Sequence, residues 1–368
     1  FYTNVVCLGN YIFERGIENG LPFEERHEFK PTLYIPTTTE TKWRTLEDEP
    51  VAPVQWGSIK ETRESVKKYE GVDNMKIYGH TNYNYSFIAE TYPENIDYNL
   101  EHLKMMFLDI EVGSEQGFPN PESATEEVIA ITTKMGDDIQ VWGCSEFKNG
   151  QENITYNRCF DERQLLEEFV MYWQKNCPHV ISGWNTKTFD TPYLINRIRN
   201  ILNETWVKKL SPWGFVKEQK IFGMGGREVQ TYEIYGVSEI DYLDAYKKFT
   251  YTNQESYRLD HIAFVELGER KLDYSEQGTL HLLYKNDYQK FIEYNIKDVE
   301  LVERLEGKLK LLEMIVSLAY LCKVNYGNCF GQVRMWDTLI FNHLLRKGIV
   351  IPPKRTSHKS SEFEGAFV

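Results

Sequence analysis

Asp109 and Glu111 stand two residues apart at the end of an apolar run, Met105-Met106-Phe107-Leu108. The run reads as a buried strand, and residues two apart on a strand project to the same side. Two carboxylates held close together raise one another's pKa, and a divalent cation is the simplest way to keep both ionised. The competing reading is a pair of acids leaving a strand into solvent. Asp190 lies just before Thr191-Pro192, where Ser182-Gly183-Trp184-Asn185 turns into a helix. A cation ligand and a carboxylate that caps the helix or favours its dipole both fit that position. Tyr294 and Asp298 are four apart on a late helical stretch, so phenol and carboxylate share one face. A solvent-facing pair beside an apolar stripe is the alternative.

The elements that position these residues follow from the pattern around them. Tyr2 to Leu8 and Tyr11 to Glu14 flank Gly9-Asn10, and a second strand pair flanks Glu18-Asn19-Gly20, so the first hundred residues read as strand-rich. Val51 to Leu100 is mixed and turn-rich. After the acidic strand, Val128 to Thr133 and Ile139 to Cys144 surround the turn Met135-Gly136-Asp137-Asp138, which predicts a three-stranded antiparallel meander. An amphipathic helix from Asp161 to Lys175, ended by Pro178, leads to the short strand Val180-Ile181, and that crossover implies a parallel pairing. A helix then starts at Thr191-Pro192, with Pro at its first position. Val216 to Tyr235 reads as a hairpin around Gly223-Met224-Gly225-Gly226, Val237 to Leu243 as a further strand, and Asn286 to Cys322 as helix. These elements describe an α/β fold: a mixed sheet with helices on its faces, preceded by a strand-rich N-terminal α+β unit.

With 368 residues, 41% hydrophobic and 14% aromatic, the chain buries at least one sizeable core, which excludes disordered and fibrous classes. No apolar run approaches the ~20 residues of a membrane span, and Phe1 to Asn10 lacks signal-peptide order, so a soluble intracellular protein without a membrane partner is expected. The six cysteines have neither CxxC nor zinc spacing and are expected to be buried free thiols. A net charge of −13 argues against a protein that coats nucleic acid indiscriminately. Locally the balance reverses: residues 191–220 carry six Lys or Arg against two Glu, and residues 338–361 carry five against no acid. Both stretches fit either nucleic-acid contact or an ordinary solvated face.

Individually each acidic motif is common. Their order and local words, Phe107-Leu108-Asp109-Ile110-Glu111, then Gly183-Trp184-Asn185 through Phe189-Asp190, then Tyr294-Asn295-Ile296-Lys297-Asp298, resemble the tyrosine subtype of the DEDD exonucleases. In particular they resemble the proofreading domain of family B DNA polymerases. The similarity narrows toward the T-even-like bacteriophage members through Tyr11-Ile12-Phe13-Glu14-Arg15, Gly117-Phe118-Pro119, Tyr246-Lys247-Lys248-Phe249, Thr252-Asn253-Gln254 and Trp336-Asp337.

The resemblance implies an RNase H-like exonuclease domain over residues 105–311. It also implies an N-terminal domain formed by 1–104 plus a returning segment of about 312–354, and a linker at 355–368 toward a polymerase palm. It implies 3′→5′ hydrolysis with two Mg²⁺ or Mn²⁺ ions. Asp109 would bridge them, Glu111 and Asp298 would complete one site, and Asp190 would serve the other. An oxygen-only donor set suits these ions better than zinc. Tyr294 would orient the attacking water, Phe118 would stack on the substrate, and Asn185 would contact it. The Gly223 to Gly226 hairpin resembles the element that separates primer end from template.

The expected substrate is the single-stranded 3′ end of primer-template DNA, in the cytoplasm of a phage-infected bacterium. The Ser-Leu-Tyr-Pro-Ser and Asp-Thr-Asp motifs of a family B palm do not occur in this sequence. The expected partner is therefore a separate chain carrying palm, fingers and thumb, with a natural division of the polymerase and a truncated chain both left open. A DNA-binding and docking subunit, and a ribonuclease of the same superfamily, are the alternative readings.

Overall fold

In the computed structural model, residues 1–352 are described apart from 71, 73–74, 115–116, 223–227 and 273–279. The chain opens with an antiparallel sheet of β1 (Tyr2–Leu8), β2 (Tyr11–Glu18) and β3 (Leu21–Glu28). Its turns place Gly9, Asn19 and Gly20 at positive φ, the left-handed backbone that Gly and Asn adopt at little cost. A two-stranded ribbon, β4 (Thr32–Pro36) and β5 (Val51–Gln55), follows. The turn-rich reading of residues 51–100 missed two helices, α1 (Ile59–Tyr69) and α2 (Tyr83–Thr91). Ser58 and Asn82 cap them, accepting from the backbone N–H groups of Glu61 and Asn84.

The main sheet begins with β6 (Met105–Val112), β7 (Val128–Met135), β8 (Asp138–Gly143) and β9 (Ile154–Arg158). α3 (Glu162–Asn176), capped by Asp161, crosses over to β10 (Val180–Ser182), which runs parallel to β6 as that crossover requires. Next come α4 (Asp190–Ile201), α5 (Glu204–Lys208), the hairpin β11 (Val216–Phe222) and β12 (Glu228–Ile234), and β13 (Ser238–Glu239). The turn of that hairpin, Gly223 to Gly226, lies outside the described residues. Strand order is β13-β10-β6-β7-β8-β9, with β6, β7 and β8 antiparallel and β9 parallel to β8. This mixed sheet, with helices on its faces, is the expected α/β, RNase H-like architecture. β9 was not foreseen.

Alternation along β6 explains which side carries the acids. Met106, Leu108 and Ile110 pack with Leu165, Leu166 and Phe169 of α3 and with Tyr193, Leu194 and Ile198 of α4. Phe107, Asp109 and Glu111 therefore turn to the opposite side, where Phe107 joins a core with Val299 and Val302. Those two residues belong to α9 (Tyr288–Leu309), which α6 (Tyr242–Phe249), α7 (Leu259–Leu267) and α8 (Leu280–Asn286) precede.

Three expected boundaries move. The strand expected from Val237 to Leu243 shortens to Ser238–Glu239, because Asp241 accepts from the N–H groups of Leu243 and Asp244 and starts α6. The helix after Asn185 begins at Asp190, so Pro192 is its third residue rather than its first. The long C-terminal helix breaks at Lys310, φ 55°, into α9 and α10 (Leu311–Cys322).

α10 and α11 (Gln332–Arg346) bring the chain back to its beginning. Tyr2 donates its hydroxyl to Val324 O over 2.7 Å, Tyr320 donates to Tyr2 O over 2.9 Å, and Val350 N–H donates to Arg44 O over 2.7 Å. All six cysteines are free, with Cys159, Cys322 and Cys329 buried and the other three partly exposed. Among the described residues no helix is long and apolar enough to cross a membrane.

Candidate active site

β6 and α9 assemble the acidic centre. Carboxylate oxygens of Asp109, Glu111 and Asp298 lie within 4.8 Å of one another. Glu111 and Asp298 are buried, and Asp298 Oδ1 has no hydrogen-bond partner among the described residues. Burial raises the pKa of Asp109 well above the usual carboxylate range, and the charges of Asp190, Asp298 and Glu111 raise it further. Burial and Asp298 push Glu111 up to about 8, against the pull of Lys271. An unpartnered buried oxygen inside an all-oxygen cluster of mutually repelling acids fits a hard divalent cation.

Asp190 joins from the start of α4, after the loop that follows β10. Burial pushes its carboxyl up to about 7, although hydrogen bonds from the N–H groups of Ile110 and Asp190 itself oppose the rise. The bond from Ile110 N–H to Asp190 Oδ1 is 3.1 Å and ties the start of α4 to the strand segment between Asp109 and Glu111. The helix cap is Phe189, without a side-chain bond, so Asp190 is not the cap.

The loop from Gly183 to Phe189 is fitted to this strand. A Cβ on Gly183 would collide with Leu108 O and with the Thr186 methyl, so only glycine allows the loop to approach β6 there. Asn185 adopts φ 69°, with its N–H on Asp241 Oδ1 over 3.2 Å and its Oδ1 accepting from Thr188 over 2.6 Å. Asp241 thus orders both the α6 start and the Asn185 loop, a role that was not anticipated. Phe118 is 87% exposed and packs its ring against Phe189, centroids 5.4 Å apart.

Two further residues of the centre went unnoticed. Lys271 Nζ forms an ion pair with Asp298 Oδ2 and donates to Tyr294 Oη over 3.0 Å. Burial alone would lower its pKa, but Asp298, Tyr294 and Asp109 hold it above the ordinary lysine value. Burial and Asp298 raise Tyr294, so its phenol stays protonated at neutral pH. Asn295, fully buried, donates from Nδ2 to Asp109 Oδ2 over 2.6 Å, while its Oδ1 accepts from the Thr132 hydroxyl. The sequence signal for Asn295 was its place three residues before Asp298, on the same helix face. Lys271, in the loop after α7, had none.

The structure thus gathers Asp109, Glu111 and Asp298 directly, links Asp190 through β6 and Tyr294 through Lys271, and sets Phe118 and Asn185 on the adjoining loops. The profile of the family DNA polymerase family B, exonuclease domain, matches residues 39–262. The chain belongs to this family. The match takes in Asp109, Glu111, Phe118, Asn185 and Asp190, and ends before Lys271, Tyr294 and Asp298. Among family B relatives, the DNA-directed DNA polymerase of Escherichia phage RB69 is 32% identical over the whole of this chain and 44% of its own length. That of Enterobacteria phage T4 is also 32% identical, over the whole chain and 43% of its own. The DNA polymerase delta catalytic subunit of Schizosaccharomyces pombe is 25% identical over the whole chain and 35% of its own. The chain therefore spans less than half the length of these relatives.

Proposed function

We propose that this chain is a metal-dependent 3′→5′ exodeoxyribonuclease, the editing part of a family B DNA polymerase. The observation that carries the reading is the triad Asp109, Glu111 and Asp298, the last two buried, with its unpartnered Asp298 oxygen, in a chain of this family. Asp109, Glu111 and Asp298 would hold one divalent cation, and Asp109 with Asp190 a second. Bound Mg²⁺ or Mn²⁺ supplies a nucleophile at neutral pH and neutralises charge on the leaving 3′-oxygen. Tyr294, protonated and held by Lys271, orients the attacking water. Phe118 offers an exposed ring to a terminal base, and the Asn185 loop contacts the frayed strand.

We assign residues 105–311 to the exonuclease domain and 1–104 with about 312–354 to the N-terminal domain; the bonds from Tyr2 and Arg44 to the returning segment support this division. The proposed linker at 355–368 lies outside the described residues. Given the phage relatives, the cytoplasm of an infected bacterium is the proposed place of action.

Incubation of a 5′-labelled single-stranded oligodeoxynucleotide with the protein and Mg²⁺ is expected to give a 3′-shortening ladder, absent in EDTA. An intact oligonucleotide in both Mg²⁺ and Mn²⁺ would remove the proposal. A matched RNA oligonucleotide tests sugar preference, with slower cleavage expected.

A second reading follows from membership of a DNA polymerase family: a DNA-binding subunit that docks on a separate polymerase chain. Co-elution with a palm-containing chain supports it. Full exonuclease activity without such association favours the first reading alone.

A further inference from the structure

The bond between Asn295 and Asp109 has a direction that its surroundings dictate. A carboxylate that holds a cation is ionised and only accepts, so the amide must turn its Nδ2 toward Asp109. Its Oδ1 then faces the Thr132 hydroxyl, which must donate. Thr132 is fully buried and lies opposite Asp109 in the β6–β7 register. Strand pairing therefore fixes the hydroxyl relative to the carboxylate, and the hydroxyl fixes the amide. Asn295 itself is held on α9 one residue after Tyr294 and three before Asp298, so the same helix that supplies one acid orients another.

We propose that Asn295, clamped by Thr132, is a positioning residue that sets the rotamer of Asp109. The inference rests on the exonuclease reading above. By occupying Oδ2, Asn295 dedicates the other oxygen of Asp109 to the cations and prevents the carboxylate from swinging out of the triad. Its effect passes through Asp109. Partners of this kind, behind a metal ligand, typically change cation affinity or activity by about 10- to 100-fold when removed.

Thr132→Val keeps the shape of the strand residue and deletes the donor, while Asn295→Leu deletes the clamp itself. Thr132→Ser retains the hydroxyl. Each is assayed by Mn²⁺ titration of the protein without DNA, followed by electron paramagnetic resonance, and by exonuclease kinetics on a single-stranded oligodeoxynucleotide. Thr132→Val is expected to weaken Mn²⁺ binding and to lower kcat by about tenfold or more, with KM for the oligonucleotide unchanged. Asn295→Leu is expected to do at least as much, and Thr132→Ser to restore both quantities to within about twofold.

Asp109→Asn is the control for the parent reading. If Asp109→Asn abolishes activity while folded Thr132→Val retains wild-type Mn²⁺ affinity and kcat, the positioning role is wrong and the exonuclease reading stands. If Asp109→Asn is fully active, the reading of the site falls and the proposal with it. Should Asn295→Leu fail to fold, the comparison of Thr132→Val with Thr132→Ser decides.

Discussion

Lys271 Nζ pairs with Asp298 Oδ2 inside the acidic centre, on a side chain only 22% exposed. The ammonium offsets part of the repulsion that Asp298 shares with Asp109 and Glu111. Lys271→Met leaves that buried charge uncompensated, a change that costs about 3–5 kcal/mol when no proton is taken up. Because the acids bind protons as pH falls, the loss is expected to be largest at pH 8 in EDTA and smaller at pH 6, and Mg²⁺ should reduce it. Urea denaturation at the two pH values, with and without Mg²⁺, measures this. An equal loss under all conditions would contradict the assignment.

The raised carboxyls set the sign of a pH effect. Glu111 titrates at about 8 and Asp190 at about 7 in the fold, against ordinary values of 4.5 and 3.8. Their contribution is fully present below the unfolded values and is lost as pH rises through the folded ones. Below about 6.5 the buried neutral histidines, His80 lowered by burial to about 4 and His179 to about 3, act in the opposite sense. From pH 6.5 to 8 the histidines no longer contribute, Glu90 and Glu239, also pushed up by burial to about 7, add to the fall, and the Phe1 amine, lowered by burial, opposes it. The Tm in EDTA is therefore expected to fall across this window. A bound cation replaces the protons, so the stabilisation gained from Mg²⁺ should grow with pH, reaching about 2.7 kcal/mol at a hundredfold excess over Kd. A gain that shrinks from pH 6.5 to 8 would exclude the cluster as the cation site.

Much of this centre was legible because it is local. Period-2 alternation put Asp109 and Glu111 on one face of β6, and helical spacing put Tyr294 beside Asp298. What escaped was held by long-range contacts. Lys271 reaches Asp298 from 27 residues away along the chain, out of a loop with no regular pattern. Asn295 reads as any polar residue on an amphipathic helix until Thr132, 163 residues distant, closes on it. The break at Lys310 was hidden because apolar periodicity continues through Leu309 and Leu312, and the modest cost of one left-handed residue is outweighed by packing on both sides. In the same way, Asp241 ended an apolar stretch that read as strand, because its carboxylate serves two backbone segments that only the fold brings together.

Phe118 separates substrate binding from stability. At 87% exposure its removal should change folding by no more than about 0.5 kcal/mol. Loss of one stacked base costs about 1–3 kcal/mol, so Phe118→Ala is expected to raise KM for a single-stranded oligonucleotide roughly 5- to 150-fold. Steady-state kinetics beside a thermal melt test both halves. A large drop in Tm with KM unchanged would make Phe118 a packing residue instead.

The most direct test of the account is release of nucleoside monophosphates from a single-stranded DNA 3′ end by the wild type and by Asp109→Ala and Asp298→Asn, each in Mg²⁺ and in EDTA. The account predicts release by the wild type in Mg²⁺ alone, and in both folded variants a loss larger than the roughly 10- to 100-fold typical of removing a partner behind a metal ligand. Undiminished release by either variant, or by the wild type in EDTA, would contradict it.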